Sequence, residues 1–201
     1  MNGDLLEAFQ TSRHPVARVY EPRDVVVVLG AAGKPEEDLH LDALSADGVP
    51  YLRRRGGGGT VLLGPGQVVL ALVTEVEHPF RNREYFSEIN DWIVVALSEL
   101  GVRGVQPAGI SDLAIGGRKI LGSSIYRTRL VLFYQASILV SNDVSLFSRY
   151  LAMPRRVPEY RAGRDHESFC TTLVREGYGL GVTDVIGALD AMVARKLPAL
   201  R

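Results

Sequence analysis

Four consecutive glycines, Gly56 to Gly59, follow three arginines, Arg53 to Arg55, and no other stretch restricts the local fold as strongly. Glycine loses more conformational freedom on folding than any other residue, so a run of four needs a reason. One reason is that a bare main chain lets an anion approach its N–H groups. Neighbouring arginines would add charge-assisted bonds to a carboxylate or phosphate. The run therefore indicates either an anion-binding loop or a flexible surface loop with solvated arginines.

A second feature is a predicted hairpin in which Leu113 to Ile115 and Arg118 to Tyr126 flank Gly116-Gly117. Side chains alternate along a strand, and the residues expected on one face are Lys119, Leu121, Ser123 and Ile125. A lysine among apolar neighbours is costly unless it meets an anion. Bound there, its ammonium could stabilise negative charge that develops on a carboxylate or phosphate oxygen. The alternative is a solvent-facing lysine at the end of a hairpin.

The remaining pattern groups strands into hairpins with helices between them. Strands are predicted at Val16 to Tyr20, Val25 to Leu29 (buried on both faces), Val49 to Leu52, Val61 to Leu63 paired with Gln67 to Val76, and Leu130 to Val140. Helices are predicted at Leu5 to Phe9 (cap Asp4), Glu36 to Ala46, Phe86 to Leu100, through Phe147 and Tyr150 (cap Asn142 or Asp143), and after Thr183 as cap. This pattern predicts an α+β fold with a mixed, mostly antiparallel sheet, formed as one domain over residues 1–201.

Composition excludes several functional classes. Lys plus Arg and Asp plus Glu both number 23, so no overall field favours nucleic acid or a membrane surface. The longest apolar runs are too short to span a bilayer, and the N-terminus lacks the pattern of a signal peptide. A single cysteine, Cys170, rules out an internal disulfide, and the four histidines are too scattered to predict a metal site. A cytoplasmic protein is expected.

Taken together and in this order, the two features resemble the lipoate–protein ligase and octanoyltransferase family. The family pattern Arg-Arg-x-Ser-Gly-Gly-Gly-x-Val is matched by Arg53, Arg54, Gly57, Gly58, Gly59 and Val61. Its later pattern Gly-Arg-Lys-Ile-x-Gly-Ser is matched by Gly117, Arg118, Lys119, Ile120, Gly122 and Ser123. Asp112 matches the aspartate in front of the hairpin. Weaker likenesses at both ends extend the resemblance over nearly the whole chain.

The resemblance implies the catalytic-domain fold shared with biotin ligases, a mostly antiparallel sheet backed by helices. It implies that lipoate or octanoate is attached to a lysine of a lipoyl carrier domain, in a 2-oxoacid dehydrogenase acyltransferase subunit or glycine cleavage H protein. In such ligases ATP, with Mg²⁺, first converts the acid to an acyl-adenylate. The glycine loop would lie against that adenylate, and Lys119 would contact its carboxyl and phosphate region. The same pocket would include Asp112, Gly122, Ser123 and Ser137.

Departures from the family pattern leave the reaction type open. Gly56 replaces the usual serine, and Tyr134-Gln135-Ala136-Ser137 stands where ligases often have His-His-Gly-Thr. Gly64-Pro65-Gly66-Gln67 looks more like the octanoyltransferase branch, although Leu63 replaces its histidine. We also expect no extra C-terminal domain of the kind that many ligases carry. We therefore expect either a separate accessory chain or a reaction without adenylation.

Three hypotheses follow. An ATP-dependent ligase is favoured, because the transferase branch uses a cysteine nucleophile and the sole thiol, Cys170, lies in an apolar run typical of a buried structural cysteine. An octanoyl or lipoyl transferase is the second hypothesis, and a non-catalytic binder of lipoyl-type ligands is the third. A basic stretch could dock an acidic carrier domain or be a solvated loop, and it contains Arg155, Arg156, Arg161 and Arg164.

Overall fold

The computed structural model describes residues 2–78 and 80–200. Its strands are β1 (Val16–Tyr20), β2 (Val26–Leu29), β3 (Tyr51–Arg53), β4 (Val61–Leu63), β5 (Gln67–Glu75), β6 (Val105–Ala108), β7 (Asp112–Ile115), β8 (Arg118–Thr128) and β9 (Val131–Leu139). Its α-helices are α1 (Gly3–Ser12), α2 (Pro35–Asp38), α3 (Leu41–Ala46), α4 (Asn82–Glu99), α5 (Ser145–Tyr150), α6 (His166–Phe169) and α7 (Val182–Lys196). Short 3₁₀ turns cover Glu159–Arg161 and Leu197–Ala199.

The larger sheet has six strands in the order β1-β5-β9-β8-β7-β6, and every neighbouring pair is antiparallel. Its centre is the nine-residue pair β5 and β9. Eight of the nine β5 residues are buried, which fits a run of β-branched and leucine side chains covered on both faces. A long, twisted antiparallel platform therefore forms the base of the fold.

A smaller sheet has the order β3-β2-β4, with β2 parallel to β3 and antiparallel to β4. The predicted burial of β2 on both faces is confirmed, since Val27, Val28 and Leu29 are each at most 5% exposed. Mixed pairing in one sheet and antiparallel pairing in the other give the α+β architecture that the sequence predicts.

The two faces of the six-stranded sheet are covered differently. Helices α4 and α7 pack together on one face, where their apolar stripes bury residues such as Ile89, Ile93 and Leu189 against the sheet. Trp92 also belongs to this core. The opposite face carries α1 at one end, where Phe9 packs on Phe133, and the three-stranded sheet with α5 at the other. Among the described residues, no helix is long and apolar enough to cross a bilayer.

The predicted hairpin of Val61 to Leu63 with Gln67 to Val76 is wrong. Both strands exist, but β4 pairs with β2 while β5 pairs with β1 and β9. The turn between them carries the chain from one sheet to the other. Gly66 makes that passage with φ of +81°, and a Cβ there would lie 2.6 Å from the Asn142 nitrogen. Its carbonyl accepts hydrogen bonds from the N–H groups of Val140 and Ser141.

Other boundaries differ for local reasons. The helix predicted over Glu36 to Ala46 breaks into α2 and α3, because Leu39 forms a β-bridge with Leu151 and buries its side chain. Asp4 lies in the first turn of α1, which begins at Gly3 after Asn2. Helix α7 begins after Gly181, whose N–H donates to Asp184, and Thr183 is already helical.

Two further differences concern the start of α5 and one edge of the larger sheet. The predicted cap of α5, Asn142 or Asp143, is wrong, because the N-cap is Val144 and it makes no side-chain cap hydrogen bond. The Asp143 side chain accepts from the Ser145 N–H at 2.9 Å from one residue further back. Strand β6 is not predicted from the sequence, because Gln106 and Pro107 interrupt the alternation of apolar residues that is typical of a strand. Its position at the edge of the sheet explains how proline is tolerated there.

We expect Gly66→Ala to destabilise the protein by at least about 2 kcal/mol, because it combines a left-handed backbone with a main-chain clash. The matched control is Gly187→Ala in α7, where a Cβ would have no neighbour within 4 Å among the described residues. Alanine there should stabilise the helix by about 0.5–1 kcal/mol. Equilibrium urea unfolding measures both changes, and equal effects of the two substitutions would contradict the assignment.

Candidate active site

Strand β8 contains one extra residue opposite β7. Leu113 pairs with Leu121, whereas the next residue, Ala114, pairs with Lys119, so Ile120 is a β-bulge. Ile120 and Leu121 are both fully buried in the core beneath α4 and α7. The bulge reverses the alternation, and Lys119 turns to the opposite face of the sheet.

The position of the Lys119 amine confirms this reversal. A Cβ built on Gly122 would lie 2.8 Å from Nζ and 2.9 Å from Cε of Lys119, so the lysine side chain crosses the face of Gly122. The prediction that Lys119 shares a face with Leu121, Ser123 and Ile125 is therefore wrong. Only a glycine at position 122 leaves room for the lysine in this place.

Lys119 is ion-paired inside the fold. Its Nζ lies 2.8 Å from Oδ1 of Asp112, and the two side chains are 25% and 13% exposed. Asp112 stands directly across from Gly122 in the register of β7 and β8. Its other oxygen, Oδ2, accepts a hydrogen bond of 2.8 Å from the Tyr160 hydroxyl. The amine is therefore mostly enclosed and is held by Asp112. The alternative interpretation, a solvent-facing lysine at the end of a hairpin, does not describe it.

The glycine segment is organised by Arg54. Its Nη2 donates to the carbonyls of Gly57 and Gly59 at 2.8 and 2.7 Å, and its Nη1 donates to Val28 at 3.3 Å. Burial lowers the pKa of Arg54 to about 10, so the guanidinium remains charged at neutral pH. Arg54 therefore binds main-chain carbonyls and holds the glycine segment in a defined shape. The alternative of a flexible loop with solvated arginines does not describe Arg54.

Arg53, the last residue of β3, has a similar role. Its Nη1 donates to the carbonyls of Gly30, Ala31 and Gly33, at 3.3, 3.2 and 2.5 Å. A Cβ on Gly30 would overlap the Gly58 carbonyl oxygen, so these two backbones touch. Gly30 is a site residue that the sequence marked only as the end of a strand. Its contact with Gly58 shows why the position requires glycine.

The glycine segment and the lysine lie over the same face of the sheet. A Cβ on Gly56 would stand 3.6 Å from the Ser124 hydroxyl and 3.5 Å from the Ile125 carbonyl oxygen. β8 pairs regularly with β9 from Leu121 onwards, so Ser124 and Gly122 point to one face about 7 Å apart. The structure therefore brings the two sequence motifs together on neighbouring positions of one strand.

Small side chains form the sheet surface beneath them. Ser137 stands opposite Gly122 on β9, and Val69 stands opposite Ser137 on β5. Ala71 follows on the same face, and Val69 packs with Val28 of the smaller sheet. Val61 pairs with Val28 and contributes to the same apolar layer. Val69 and Ala71 are at most 3% exposed, so this layer is packed beneath the smaller sheet and α1.

Ser123 lies elsewhere than its motif neighbours. By alternation it points to the helix-covered face, and its hydroxyl donates to the Ser111 carbonyl at 2.7 Å. The Ser111 hydroxyl donates in return to the Ser123 carbonyl at 3.1 Å. Ser123 thus fixes the turn that leads into Asp112, and the structure does not bring its side chain to Lys119.

Cys170 also adjoins Lys119, through a parallel β-bridge in which the neighbouring Thr171 N–H donates to the Lys119 carbonyl. The thiol is buried, 8% exposed, and burial raises its pKa, while the Lys119 charge only partly opposes that shift. A buried neutral thiol is the state that the sequence predicts for this cysteine.

The basic stretch is mostly folded inwards. Arg161 is buried over the Phe169 ring at 4.7 Å, and Arg164 donates to the carbonyls of Tyr160 and Gly117 at 2.7 and 2.9 Å. Arg155 is paired with Glu37. Neither alternative for this stretch, a docking surface or a solvated loop, describes Arg161 and Arg164. Arg161 bonds within its own loop, and Arg164 joins that loop to the lysine hairpin.

Comparison with known proteins identifies the family of this chain. Residues 3–193 match the model of the family described as lipoyl protein ligase A/B catalytic domain. The octanoyltransferase LipM of Symbiobacterium thermophilum is 27% identical, over 79% of this chain and 66% of that protein. Lipoate-protein ligase A subunit 1 of Thermoplasma acidophilum is 26% identical, over 75% and 60%. The chain thus spans about two thirds or less of the length of these relatives.

Solved structures show the same fold. The bi-partite lipoate protein ligase of Thermoplasma acidophilum, studied with its E2 lipoyl domain, superposes with a TM-score of 0.82 at 22% identity, covering 98% of this chain and 78% of that one. A putative lipoate protein ligase from the same organism with bound lipoic acid gives 0.80 at 21%, covering 97% and 79%. A lipoate-protein ligase A bound with ATP gives 0.79 at 22%, covering 95% and 76%. The family match extends over nearly the whole sequence, and the protein therefore belongs to the lipoyl protein ligase A/B catalytic domain family.

Proposed function

We propose that this protein is a lipoate–protein ligase that activates lipoate or octanoate with ATP and transfers the acyl group to a lysine of a lipoyl carrier domain. The observation that carries the proposal is the Lys119 ammonium, held by Asp112 over Gly122 on the same sheet face as the glycine segment. A fixed cation and a main chain without side chains would grip the same activated acid from two sides.

The chemistry follows from where charge develops. The acid carboxylate attacks the α-phosphorus of ATP, and pyrophosphate leaves, which gives the acyl-adenylate. The acceptor lysine amine then attacks the acyl carbonyl, and AMP leaves. An ammonium has three N–H donors, and the Asp112 contact uses one of them. The others would stabilise the phosphate and carbonyl oxygens as their negative charge increases.

The metal ion of the proposed reaction would be bound by the nucleotide, with no cluster of protein ligands in the described residues. The described residues contain no group of three or more His, Cys, Asp or Glu side chains that could hold a metal ion. Magnesium commonly binds through substrate phosphates and waters, so Mg²⁺ would arrive with ATP and neutralise phosphate charge. The relative bound with ATP and the relative bound with lipoic acid support both substrates at 21–22% identity.

The partners are proposed on the same basis. The acceptor would be the lipoyl domain of a 2-oxoacid dehydrogenase acyltransferase subunit or the glycine cleavage H protein, in the cytoplasm. A separate accessory chain is proposed as well, because the Thermoplasma relative is a bi-partite ligase studied with its E2 lipoyl domain.

An ATP-independent octanoyl transferase is the second candidate, favoured by the likeness to LipM. That reaction needs a thiolate that attacks an acyl thioester and forms an acyl-enzyme. Cys170 is the sole cysteine of the chain, and its burial holds it in the neutral form. Because Cys170 adjoins Lys119 through a β-bridge, replacing this cysteine tests the transferase reaction directly.

The direct test is to incubate the protein with ATP, Mg²⁺, lipoate and a lipoyl domain, with and without a candidate accessory chain, and to weigh the acceptor. We expect one lipoyl group per acceptor, and Lys119→Ala should lower the rate by about 10²–10³-fold because the charge-stabilising cation is lost. Lys196→Ala, an exposed lysine on α7, is the matched control and should retain the wild-type rate. An unmodified acceptor and undetectable lipoyl-adenylate under all these conditions would refute the ligase.

Gly122→Ala tests whether the amine must lie where it does. The added methyl would stand 2.8 Å from the Lys119 amine, whose flexible side chain would move aside while the fold persists. We expect adenylate formation to fall about tenfold or more, since misplacing a catalytic group by about 1 Å is that costly. The control is Gly179→Ala, an exposed glycine at which a Cβ would have no neighbour within 4 Å in the described structure. Equal rates for both variants would show that the Lys119 position is unimportant.

Cys170→Ala separates the two candidate reactions. The ligase predicts adenylate formation within about twofold of wild type, since a buried neutral thiol contributes only packing. The transferase predicts complete loss of acyl transfer from an octanoyl carrier protein without ATP. Thermal unfolding of the variant controls for stability. Loss of activity in a folded Cys170→Ala protein would contradict the ligase hypothesis and favour the thioester reaction.

A further inference from the structure

The carboxylate that holds Lys119 has a second partner outside the hairpin. Asp112 contacts the lysine amine through Oδ1 and accepts the Tyr160 hydroxyl through Oδ2, and both distances are 2.8 Å. With both oxygens engaged, the carboxylate plane is fixed and cannot rotate freely. The direction of the lysine amine therefore also depends on Tyr160, which lies in the 3₁₀ turn Glu159–Arg161.

The loop around Tyr160 is built to aim that hydroxyl. The Tyr160 ring packs on Phe169, with centroids 5.0 Å apart, and contacts the backbone at Gly109, where a Cβ would lie 3.4 Å from the ring. Arg164 donates to the Tyr160 carbonyl at 2.7 Å and to the Gly117 carbonyl at 2.9 Å. This second bond joins the loop to the turn of the lysine hairpin. The phenol is thus fixed relative to both ends of the hairpin.

The phenol remains a donor over the whole physiological range. Burial, and then the neighbouring Asp112 charge, raise the pKa of Tyr160 well above its usual value. A protonated hydroxyl beside a carboxylate gives a charge-assisted hydrogen bond, which is stronger than a neutral one.

We propose that Tyr160 is a positioning residue for the acyl-transfer reaction, acting on Lys119 through Asp112. The proposal rests on the ligase function given above. Tyr160 holds the carboxylate in one orientation, and the carboxylate holds the ammonium over Gly122.

The kinetic test uses Tyr160→Phe, which removes the hydroxyl and keeps the ring on Phe169. We expect kcat for adenylate formation to fall about tenfold, the size of one lost hydrogen bond to a charged group, while KM for lipoate stays near wild type. The matched control is Tyr178→Phe, whose hydroxyl bonds the backbone of Arg103 away from the hairpin and should leave kcat unchanged. Wild-type kcat in Tyr160→Phe would overturn the proposal.

A double-variant cycle separates positioning from simple support of the fold. If Tyr160 acts through Asp112, the protein with both Tyr160→Phe and Asp112→Asn should be no slower than Asp112→Asn alone. A merely structural role predicts that the two losses multiply. A further tenfold loss in the double variant would therefore overturn the proposal.

A third measurement does not depend on catalysis. The rate of Lys119 acetylation by acetic anhydride, followed by mass spectrometry, reports how firmly the amine is held. We expect faster labelling of Lys119 in Tyr160→Phe, with unchanged labelling of the exposed Lys196 as internal control. If the wild-type protein forms no adenylate and yet shows this difference, the ligase function fails while the positioning role stands. Unchanged labelling of Lys119 would overturn the positioning role itself.

Discussion

One extra residue in β8 decides which face of the sheet carries Lys119. In a regular strand, Lys119 would point with Leu121 into the core beneath α4 and α7, because alternation has a period of two. An unpaired charge in such a core is destabilising by several kcal/mol. The bulge at Ile120 sends two successive apolar side chains inwards and turns the lysine to the opposite face, where Asp112 pairs with it. The ion pair and the role of Gly122 both follow from that single insertion.

The arginines of the glycine motif show how a loop without side chains can be rigid. Glycine carbonyls that bond only to water would leave the segment mobile, since four glycines have much conformational freedom. Arg53 and Arg54 donate to carbonyls on both sides of the gap between β2 and the loop. The close approach of Gly30 to Gly58 is then enforced by cationic donors, and the fixed loop can meet a ligand without losing further entropy. The arginines act on the ligand site chiefly through the backbone.

Local patterns in the sequence predicted what local physics determines. The alternating and continuous apolar runs gave the strands around Val16, Val27 and Phe133, and helical spacing gave the α4 stripe that contains Ile89 and Ile93. The glycine and lysine motifs, which the sequence singled out, lie on one face of the sheet and form the candidate site. Pairing was harder, because β4 and β5 are neighbours in sequence but belong to different sheets, and short-range signals favour a hairpin. The bulge was unpredictable for a similar reason, since register depends on which residues a strand faces across the sheet.

The positions of Lys119 and Cys170 help to distinguish the two proposed reactions, adenylate formation and thioester transfer. The amine and the thiol adjoin through one β-bridge, so a lysine of this kind could in principle lower the pKa of a neighbouring thiol. In this chain the burial of Cys170 exceeds that electrostatic help, and its pKa is raised. Asp112 also binds the same ammonium at 2.8 Å, so the lysine is already engaged by a carboxylate of the hairpin. A lysine that faces a substrate anion and is anchored by a carboxylate suits phosphate and carbonyl chemistry better than thiol activation. On this argument the Tyr160–Asp112–Lys119 arrangement favours adenylate chemistry, because it fixes the cation where an incoming acid would be activated.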